Sequence, residues 1–428
     1  MNFLSKAILL FTFIAAVNAQ TLPTGNVIFI HPDGTGLSDW NATRILYYGP
    51  DGELNWDRMT NLGIYKSHML NSISASSHAG ATIHAYGVKV LQDSFGMNGK
   101  EEVAAYSGKA LSIMEEAHAA GIKCGLVNSG SIIEPGTSVF VASSPSRSES
   151  ESITKQVVMS GVEVILSGGE EWMLPEGEIG FHKGEGKRTD GTNLIEWAKD
   201  KGYVVVYNKE QLMTISPKTQ KVLGVFANGH TFNDKSEEVL EEEKLPNFKE
   251  SAPTLAEMTE KAIQILSKNQ TKFFLVVEEE ATDNFANANN ANGTLEALKR
   301  ADDAVGVSLN FIKENPNTLL ITAADSDAGG LELLGDSGLD PEKNLSNNEK
   351  NGSPIDGKDG TGSLPFLSAP DMYGKRLPFY VAWSTFGDAH GSVIAKTSGL
   401  NANLMKNTID NTEIYKIMFA TLFGVYLK

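Results

Sequence analysis

Carboxylate side chains follow several apolar segments of the chain, each of strand length. The acids are Asp33 after residues 26–31 (NVIFIH), Glu278 and Asp283 after residues 273–277 (FFLVV), and Asp325 after residues 318–322 (TLLIT). One acid after a strand is often a turn or cap residue. Acids delivered by separate strands to one edge of a sheet repel each other unless they share protons or cations. Together they favour a metal site.

A serine-rich turn precedes a run of small residues in the segment 72–90 (SISASSHAGATIHAYGVKV). A serine at the N-terminus of a helix faces free backbone N–H groups and the positive end of the helix dipole, where a phosphate can bind. Ser76 and Ser77 are both candidates, and a simple helix-capping role is the alternative. The segment therefore supplies a potential nucleophile, but does not by itself require one.

Apolar segments of strand length alternate with helical patterns along most of the chain. Further strands are predicted at residues 123–127, 162–166, 203–207, 222–226 and 379–383, and helices at residues 101–120, 150–160, 193–200, 254–267 and 295–313. This alternation predicts an α/β fold with a large, mostly parallel central sheet sandwiched by helices. Ligands of such sheets bind outside the carboxyl ends of the strands. Residues 331–369, rich in Gly, Asp, Asn, Ser and Pro, are predicted to form an irregular insertion, either a surface excursion or a lid.

Composition and charge limit the class of protein. The chain has 428 residues with 36 Lys and Arg against 53 Asp and Glu, giving a formal net charge of −17. Nucleic acid as the main partner is disfavoured, because its binding needs clustered cations. Residues 1–19 resemble a signal peptide, with Lys6 before an apolar run, so we expect an exported, periplasmic or extracellular chain without a membrane anchor. Residues 20–428 would form one domain, and the lone Cys124 cannot form an internal disulfide.

The segment around Ser77 resembles the nucleophile region of the alkaline phosphatases. That region typically reads Asp-Ser-Ala-x-x-Ala-Thr-Ala and is followed shortly by Gly-Val-Lys. Ser77 matches the nucleophile, and Ala81-Thr82 and residues 87–89 (GVK) follow in step. The resemblance extends in order from residue 26 to about residue 400.

The resemblance implies roles for further residues of this chain. Asp33 would bridge two metals, Glu278 would bind a third metal, and Asp283 and Asp325 would be zinc ligands. Arg147 would clamp the oxygens of the phosphate. The family is implied to hydrolyse small phosphate esters through a phosphoserine intermediate, and the oligomeric state stays open, a homodimer included.

Several positions depart from the family pattern. Asn287, Ser326 and Asp388 stand where zinc-binding histidines are expected, with His390 as a rival to Asp388. Ser76 replaces the acid that usually precedes the nucleophile, so Arg147 lacks its usual orienting partner. In the region of the third metal, Glu134 occupies one position and stays open as a ligand. Gly136 aligns with the threonine ligand of the family and looks like simple loss of it, whereas Thr137 fits only with a shift of one residue.

These replacements change the preferred metal. Zinc favours nitrogen and sulfur ligands, whereas Ca²⁺, Mg²⁺ and Mn²⁺ favour oxygen. Asn, Ser and Asp therefore predict an oxygen-rich site for hard divalent cations, with zinc still possible and His31 as one potential nitrogen donor. The predicted function is a metal-dependent phosphomonoesterase. The alternatives are a phosphodiesterase on the same scaffold and a catalytically degenerate protein that binds phosphate or metal; a sulfatase is disfavoured.

Overall fold

The computed structural model describes residues 21–268 and 271–428. The predicted signal peptide lies outside the described residues. The strands, in chain order, are β1 (Asn26–Pro32), β2 (Asn61–Lys66), β3 (Lys123–Ser131), β4 (Val164–Gly168), β5 (Val204–Val206), β6 (Val222–Val225), β7 (Phe273–Glu279), β8 (Thr318–Thr322), β9 (Asp327–Ala328), β10 (Glu332–Leu334), β11 (Ile355–Gly357), β12 (Gly360–Thr361), β13 (Phe366–Leu367), β14 (Pro378–Ala382), β15 (Asp388–Ala389), β16 (Ile394–Gly399) and β17 (Thr408–Asp410).

Helices connect most of these strands. In chain order they are α1 (Leu37–Tyr48), α2 (Ser77–Tyr86), α3 (Ile113–Ala119), α4 (Pro135–Ser138), α5 (Ser150–Met159), α6 (Leu194–Asp200), α7 (Lys209–Thr214), α8 (Glu237–Glu243), α9 (Leu255–Leu266), α10 (Ala281–Asn287), α11 (Ala291–Glu314) and α12 (Thr412–Phe423). No helix in the described part of the chain is long and apolar enough to cross a membrane.

The main sheet has ten strands in the order β17-β2-β16-β8-β1-β7-β3-β4-β6-β5. From β8 to β5 every neighbouring pair is parallel, whereas β16 runs antiparallel to both of its neighbours. The predicted α/β fold with a large, mostly parallel sheet is therefore confirmed. Parallel strands need crossover connections, and the helices supply them.

The central strands are buried on both faces. Along β1, Val27 and Phe29 pack into the core that contains α3 and α12, while Ile28 and Ile30 pack into the core that contains α9 and α11. This alternation explains why these strands are continuous apolar runs rather than alternating apolar and polar ones. The helices on the two faces leave only the strand ends accessible to a ligand.

One predicted helix is much shorter than expected. Residues 101–120 were predicted to be helical, but α3 begins only after Ser112, whose hydroxyl accepts from the Glu115 N–H while the Glu115 side chain accepts from the Ser112 N–H. This capping box fixes the N-terminus of α3 at Ser112. Gly108 has a φ of 86°, which interrupts any helix upstream.

The strand predicted at residues 379–383 forms, but outside the main sheet. β14 pairs antiparallel with β10, β11 and β13, all of which come from the segment 331–369. The segment predicted to be irregular therefore contributes four short strands to a second sheet. Trp383 and Asp356 anchor this sheet, since the indole Nε1 donates to Asp356 Oδ2 at 2.6 Å. Local sequence indicated the strand but not its partners.

Candidate metal and phosphate site

The polar side chains converge at the carboxyl ends of β8, β1, β7 and β3, which are neighbours in the sheet. The register places His31 of β1 opposite Glu278 of β7, and Asn128 of β3 opposite the same Glu278. Asp33 follows β1 directly, and Asp325 lies three residues beyond the end of β8. Strands far apart in sequence thus deliver their acids to one edge, as expected from the pattern.

Buried oxygens without hydrogen-bond partners fill this edge. Asp325 leaves both carboxylate oxygens unpartnered, and one oxygen is unpartnered in each of five other predicted ligands: Asp33, Glu278, Asp283, Asn287 and Ser326. An unpaired buried polar atom is expensive, and an unpaired buried charge is more so. Because so many such atoms converge, the donor set fits divalent cations that prefer oxygen.

Two groups of side chains could each hold a cation. One comprises His31, Asp33 and Asp325, the other Asp33, Glu280 and Asp283, and within each group the ligand atoms lie within 4.8 Å of one another. Asp33 belongs to both groups, so its two oxygens can serve two cations. Glu280 was not predicted as a ligand. Its place in the acidic run 278–280 was the available signal, but sequence does not show which of these side chains points to the site.

Asp388 and His390 lie in different surroundings, Asp388 in β15, which pairs with β9 in a separate two-stranded sheet. Asn287 Nδ2 donates to Asp283 Oδ2 at 3.0 Å and to Asp388 Oδ1 at 3.2 Å, so these three side chains lie together. His390 Nδ1 instead lies 2.8 Å from Ser67 Oγ and 3.0 Å from the carbonyl oxygen of Ile73. The structure places Asp388 with the acids, and His390 away from them.

Glu278 is held by side chains from β3 and α4. Thr137 Oγ1 donates to Glu278 Oε2 at 3.2 Å, and Asn128 Nδ2 donates to the same oxygen. Thr137 therefore contacts Glu278 through its hydroxyl, at the position one residue after Gly136. Gly136 has a steric role: a Cβ there would lie 2.0 Å from Glu278 Oε1 and 2.7 Å from His31 Cδ2.

The carboxyl groups at this edge of the sheet lie close enough together to shift each other's pKa values. Burial raises the pKa of Glu278 to about 8 and raises the pKa of Asp325 well above its usual value, and in both cases Asp33 adds to the rise by repulsion. Burial also raises the pKa of Asp283, aided by repulsion from Asp388. For His31, burial would lower the pKa, but the surrounding carboxylates raise it to about 10. Positive charge is therefore favoured here.

Ser77 is the first residue of α2 and is almost fully buried. Burial would raise the pKa of Asp33, but the charge of His31 and the nearby hydroxyl of Ser77 hold that pKa below its usual range. Ser76 is the N-cap residue, and its hydroxyl donates to the carbonyl oxygen of Gln92 at 2.5 Å. Ser77 thus faces the acids while Ser76 is engaged elsewhere.

Arg147 has an orienting partner that the sequence did not indicate. Its Nη2 donates to Glu134 Oε2 at 2.8 Å, and the arginine side chain remains 46% exposed. Burial would lower the pKa of the guanidinium, but Glu134 and Glu280 raise it, so the cation persists. Both residues line a cavity of about 450 Å³ with Asp283 and Asn287. A guanidinium facing such a cavity can bind a phosphate through two parallel hydrogen bonds.

The comparisons with known proteins agree with this geometry. A family model described as alkaline phosphatase matches residues 24–422. The alkaline phosphatase of Escherichia coli K12 is 29% identical over 342 residues, covering 71% of this chain and 70% of that protein. Alkaline phosphatase 4 of Bacillus subtilis is 29% identical over 335 residues, covering 74% of this chain and 64% of that protein.

Solved structures share the fold. The Thermus thermophilus alkaline phosphatase superposes with a TM-score of 0.72 at 21% identity, covering 98% of this chain and 96% of that one. The enzyme of the Antarctic bacterium TAB5 gives a TM-score of 0.70 at 22% identity over 94% of this chain and 98% of that one. A variant of the TAB5 enzyme has Mg bound in a site named M3.

The doubly covered, mostly parallel sheet with acidic side chains at the carboxyl ends of its strands is the architecture of the α/β hydrolytic enzymes that the chain resembles. Within that class, the chain belongs to the alkaline phosphatase family, and it is a phosphoric monoester hydrolase of that type.

Proposed function

We propose that this chain is an exported, metal-dependent phosphomonoesterase that works through a phosphoserine on Ser77. The observation that carries the proposal is the set of buried, unpartnered oxygens of Asp33, Asp325 and their neighbours beside the N-terminus of α2. Export rests on the N-terminal sequence alone. Residues 20–428 are proposed as one catalytic domain that acts on small phosphate esters.

The proposed metal ligands are oxygen donors. They are Asp33, Glu278, Asp283, Asn287, Asp325, Ser326 and Asp388, with Glu280 added from the grouping described above. Amide, hydroxyl and carboxylate oxygens suit Mg²⁺, Ca²⁺ and Mn²⁺ better than Zn²⁺. We therefore propose a hard divalent cation, and the Mg bound in the TAB5 variant supports it. Divalent cations bound there would stabilise the attacking and leaving oxygens of an in-line displacement.

Ser77 would form and release the covalent intermediate. Its Oγ would form a bond to phosphorus while the ester P–O bond breaks; the hydroxyl proton passes to solvent, and the leaving alkoxide takes up a proton from solvent. The oxygen of a water molecule then bonds to phosphorus while the P–Oγ bond breaks, and the proton that this water loses compensates the proton that Oγ takes up, which releases phosphate and restores the hydroxyl. The N-terminal N–H groups of α2 and their dipole favour the negative charge on the phosphoryl group. Arg147 binds two non-bridging oxygens, and Glu134 holds the guanidinium in place.

The decisive experiment is hydrolysis of p-nitrophenyl phosphate by protein stripped with chelator and then restored with Mg²⁺, Ca²⁺, Mn²⁺ or Zn²⁺. Acid-quenched protein incubated with labelled substrate would be mapped for phosphoserine. Ser77→Ala should abolish both turnover and labelling. Ser76→Ala is the matched control, because it removes the adjacent hydroxyl, and it should retain most of the activity.

The outcomes separate the alternatives. Recovery with zinc alone would overturn the proposed metal preference but keep the nucleophile. Labelling that is lost in Ser76→Ala and kept in Ser77→Ala would move the nucleophile by one residue. Turnover of bis(p-nitrophenyl) phosphate without turnover of the monoester would replace the monoesterase by a diesterase. Phosphate binding without turnover of either ester would indicate a binding protein.

A further inference from the structure

His31 is a fully buried imidazole at the acidic edge, in the second-last position of β1. Its Nδ1 lies 2.7 Å from the carbonyl oxygen of Ala323. A carbonyl oxygen only accepts, so Nδ1 carries a proton and donates it. Histidines that bind metals commonly use one ring nitrogen in this way, because the hydrogen bond orients the ring and leaves the other nitrogen for the metal.

The other nitrogen points at the acids. His31 Nε2 lies 3.2 Å from Asp33 Oδ1, and both carboxylate oxygens of Asp325 close by are without partners. Two ligand atoms that each lie about 2.1 Å from one ion, at roughly tetrahedral or octahedral angles, are about 3.0 to 3.5 Å apart. The separation of His31 Nε2 and Asp33 Oδ1 therefore fits two ligands of one cation.

Gly136 gives independent support for a built position. A Cβ at residue 136 would approach His31 Cδ2 to 2.7 Å and Glu278 Oε1 to 2.0 Å. Any larger residue would displace the imidazole or the carboxylate. The glycine that looked like simple loss of a threonine ligand is thus the residue that leaves room for this histidine.

The competing interpretation is an imidazolium that neutralises the acids without a metal. It would satisfy Asp33 through Nε2–H, but the single charge would face three buried acids, Asp33, Asp325 and Glu278, and would leave both oxygens of Asp325 unpartnered. A divalent cation compensates more of this charge and also takes up the free oxygens. Metal binding requires a neutral imidazole, so the cation would displace the Nε2 proton.

We propose that His31 supplies the nitrogen ligand of the cation held by Asp33 and Asp325. The nitrogen donor would then come from β1, because Ser326, on the segment after β8, has only a hydroxyl to offer. This inference rests on the proposed function only in assuming that a divalent cation binds at this edge.

The test uses the full protein loaded with Mn²⁺ and examined by electron spin-echo envelope modulation, which detects nitrogen bound to the metal. Mn²⁺ affinity is measured in parallel by calorimetry. His31→Asn keeps an amide near the position of Nδ1, where it can donate to Ala323, and removes the atom at Nε2. His31→Gln instead places an amide oxygen near Nε2. His78→Asn is the matched control, since His78 is the neighbour of Ser77 and its Nδ1 is also buried and unpartnered.

We expect a nitrogen signal in the wild-type protein and in His78→Asn, and its loss in both His31 variants. Mn²⁺ affinity should fall about tenfold or more in His31→Asn and less in His31→Gln, because the glutamine oxygen can still coordinate. Wild-type protein that binds Mn²⁺ without a nitrogen signal, or binds no Mn²⁺, overturns the proposal. This readout does not depend on the folding of any variant.

Two further outcomes show which histidine gives the nitrogen signal. A nitrogen signal that persists in His31→Gln, or that disappears in His78→Asn, moves the ligand to another histidine and overturns the proposal. Hydrolysis of p-nitrophenyl phosphate is measured on the same samples. Mn²⁺-loaded protein that shows the nitrogen signal but no turnover would overturn the proposed function and not the assignment of His31. Turnover without the nitrogen signal would overturn the assignment of His31 and not the proposed function.

Discussion

At the residue scale, the site is defined by what each donor atom prefers to bind. Asn287 is the proposed metal ligand best suited to substitution, because it lines the cavity and its amide contacts both Asp283 and Asp388. Arg147 also lines the cavity, held by Glu134. These two positions allow the metal preference and the phosphate contact to be tested separately.

Replacing Asn287 with histidine should shift the metal preference toward zinc. Zinc prefers imidazole nitrogen to amide oxygen, so we expect the ratio of Zn²⁺ to Mg²⁺ affinity to rise at least tenfold, about 1.4 kcal/mol. Competition calorimetry measures this ratio. Asn284→His is the control, since Asn284 lines the same cavity but donates to Asp234. An unchanged ratio in Asn287→His would argue that residue 287 does not contact the metal.

Arg147→Lys should weaken phosphate binding while leaving metal content unchanged. Lysine keeps the charge but lacks the planar fork that binds two oxygens at once. We expect the inhibition constant for inorganic phosphate to rise about tenfold, which corresponds to about 1.4 kcal/mol. Metal content by atomic absorption serves as the control measurement. If phosphate inhibits the variant as well as the wild-type protein, Arg147 does not bind the phosphoryl oxygens.

At the element scale, α2 must pack closely against the segment that follows β8. A Cβ on Gly80, one turn after Ser77, would lie 2.3 Å from Asp325 Cβ and 2.7 Å from Asp325 Oδ2. Only glycine allows the helix to approach this carboxylate. The helix that presents the serine and the acid that faces it are therefore positioned by one close contact.

Gly80→Ala should damage the site although alanine is the better helix former. Alanine would favour the helix by about 0.5 to 1 kcal/mol, but its methyl group would displace Asp325. We expect metal affinity to fall at least tenfold, measured by calorimetry, with little change in helix content. Ala81→Gly weakens the same helix without adding an atom beside Asp325, so it should lower thermal stability and keep metal affinity. Equal metal affinity in Gly80→Ala and the wild-type protein would contradict the packing argument.

At the scale of the whole molecule, two neighbouring carboxyl groups of α8 connect the main body to the second sheet. Glu237, at the start of α8, accepts from the N–H of Asn292 in α11 at 3.1 Å. Burial raises the pKa of Glu237 to about 8, and repulsion from Asp356 of β11 adds to the rise. The neighbouring Glu238 is exposed and accepts from the N–H of Thr361 in β12 at 3.0 Å.

Glu237 should make the protein less stable as the pH rises. Below about pH 4.5 the carboxyl of Glu237 is protonated in both the folded and the unfolded chain, so its ionisation does not change the free energy of unfolding. Between about pH 4.5 and 8 the unfolded chain loses this proton while the folded chain keeps it, and stability falls. Glu237→Gln should therefore stabilise the protein by on the order of 1 to 3 kcal/mol at pH 8 and by much less at pH 4, as measured by denaturant unfolding.

Glu238→Gln is the control, because the pKa of Glu238 is shifted in the opposite direction to that of Glu237. Burial would raise the pKa of Glu238, but the hydrogen bond from Thr361 and others lower it. Its carboxylate therefore contributes stability above its unfolded pKa, and that contribution disappears as the pH falls through the folded value. Glu238→Gln should not stabilise the protein at pH 8. If Glu237→Gln gives the same stability difference at pH 4 and pH 8, the buried carboxyl is not the cause.

The sequence by itself determined the element types and the location of the chemistry. Apolar runs such as residues 273–277 must be buried strands, and helical patterns between them require crossovers, so the parallel sheet follows from periodicity. The same connectivity sends the carboxyl ends of the parallel strands to one edge, which is why Asp33 and Asp325 could be predicted to meet. Two expectations were wrong: Gly108 and the Ser112 cap shorten the helix predicted at residues 101–120, and the segment 331–369, predicted to be irregular, forms short strands.

Only the tertiary structure decided which side chains point inward. Asp388 and His390 are two residues apart, yet one lies beside Asn287 and the other beside Ser67. The pairing of Glu134 with Arg147, likewise, was not visible in the chain. Sequence patterns indicate which residues are buried and whether apolar residues repeat at helix or strand spacing, and both are local properties. The direction of a side chain at the edge depends on strand register and on packing against distant segments, and these exist only once the sheet has formed.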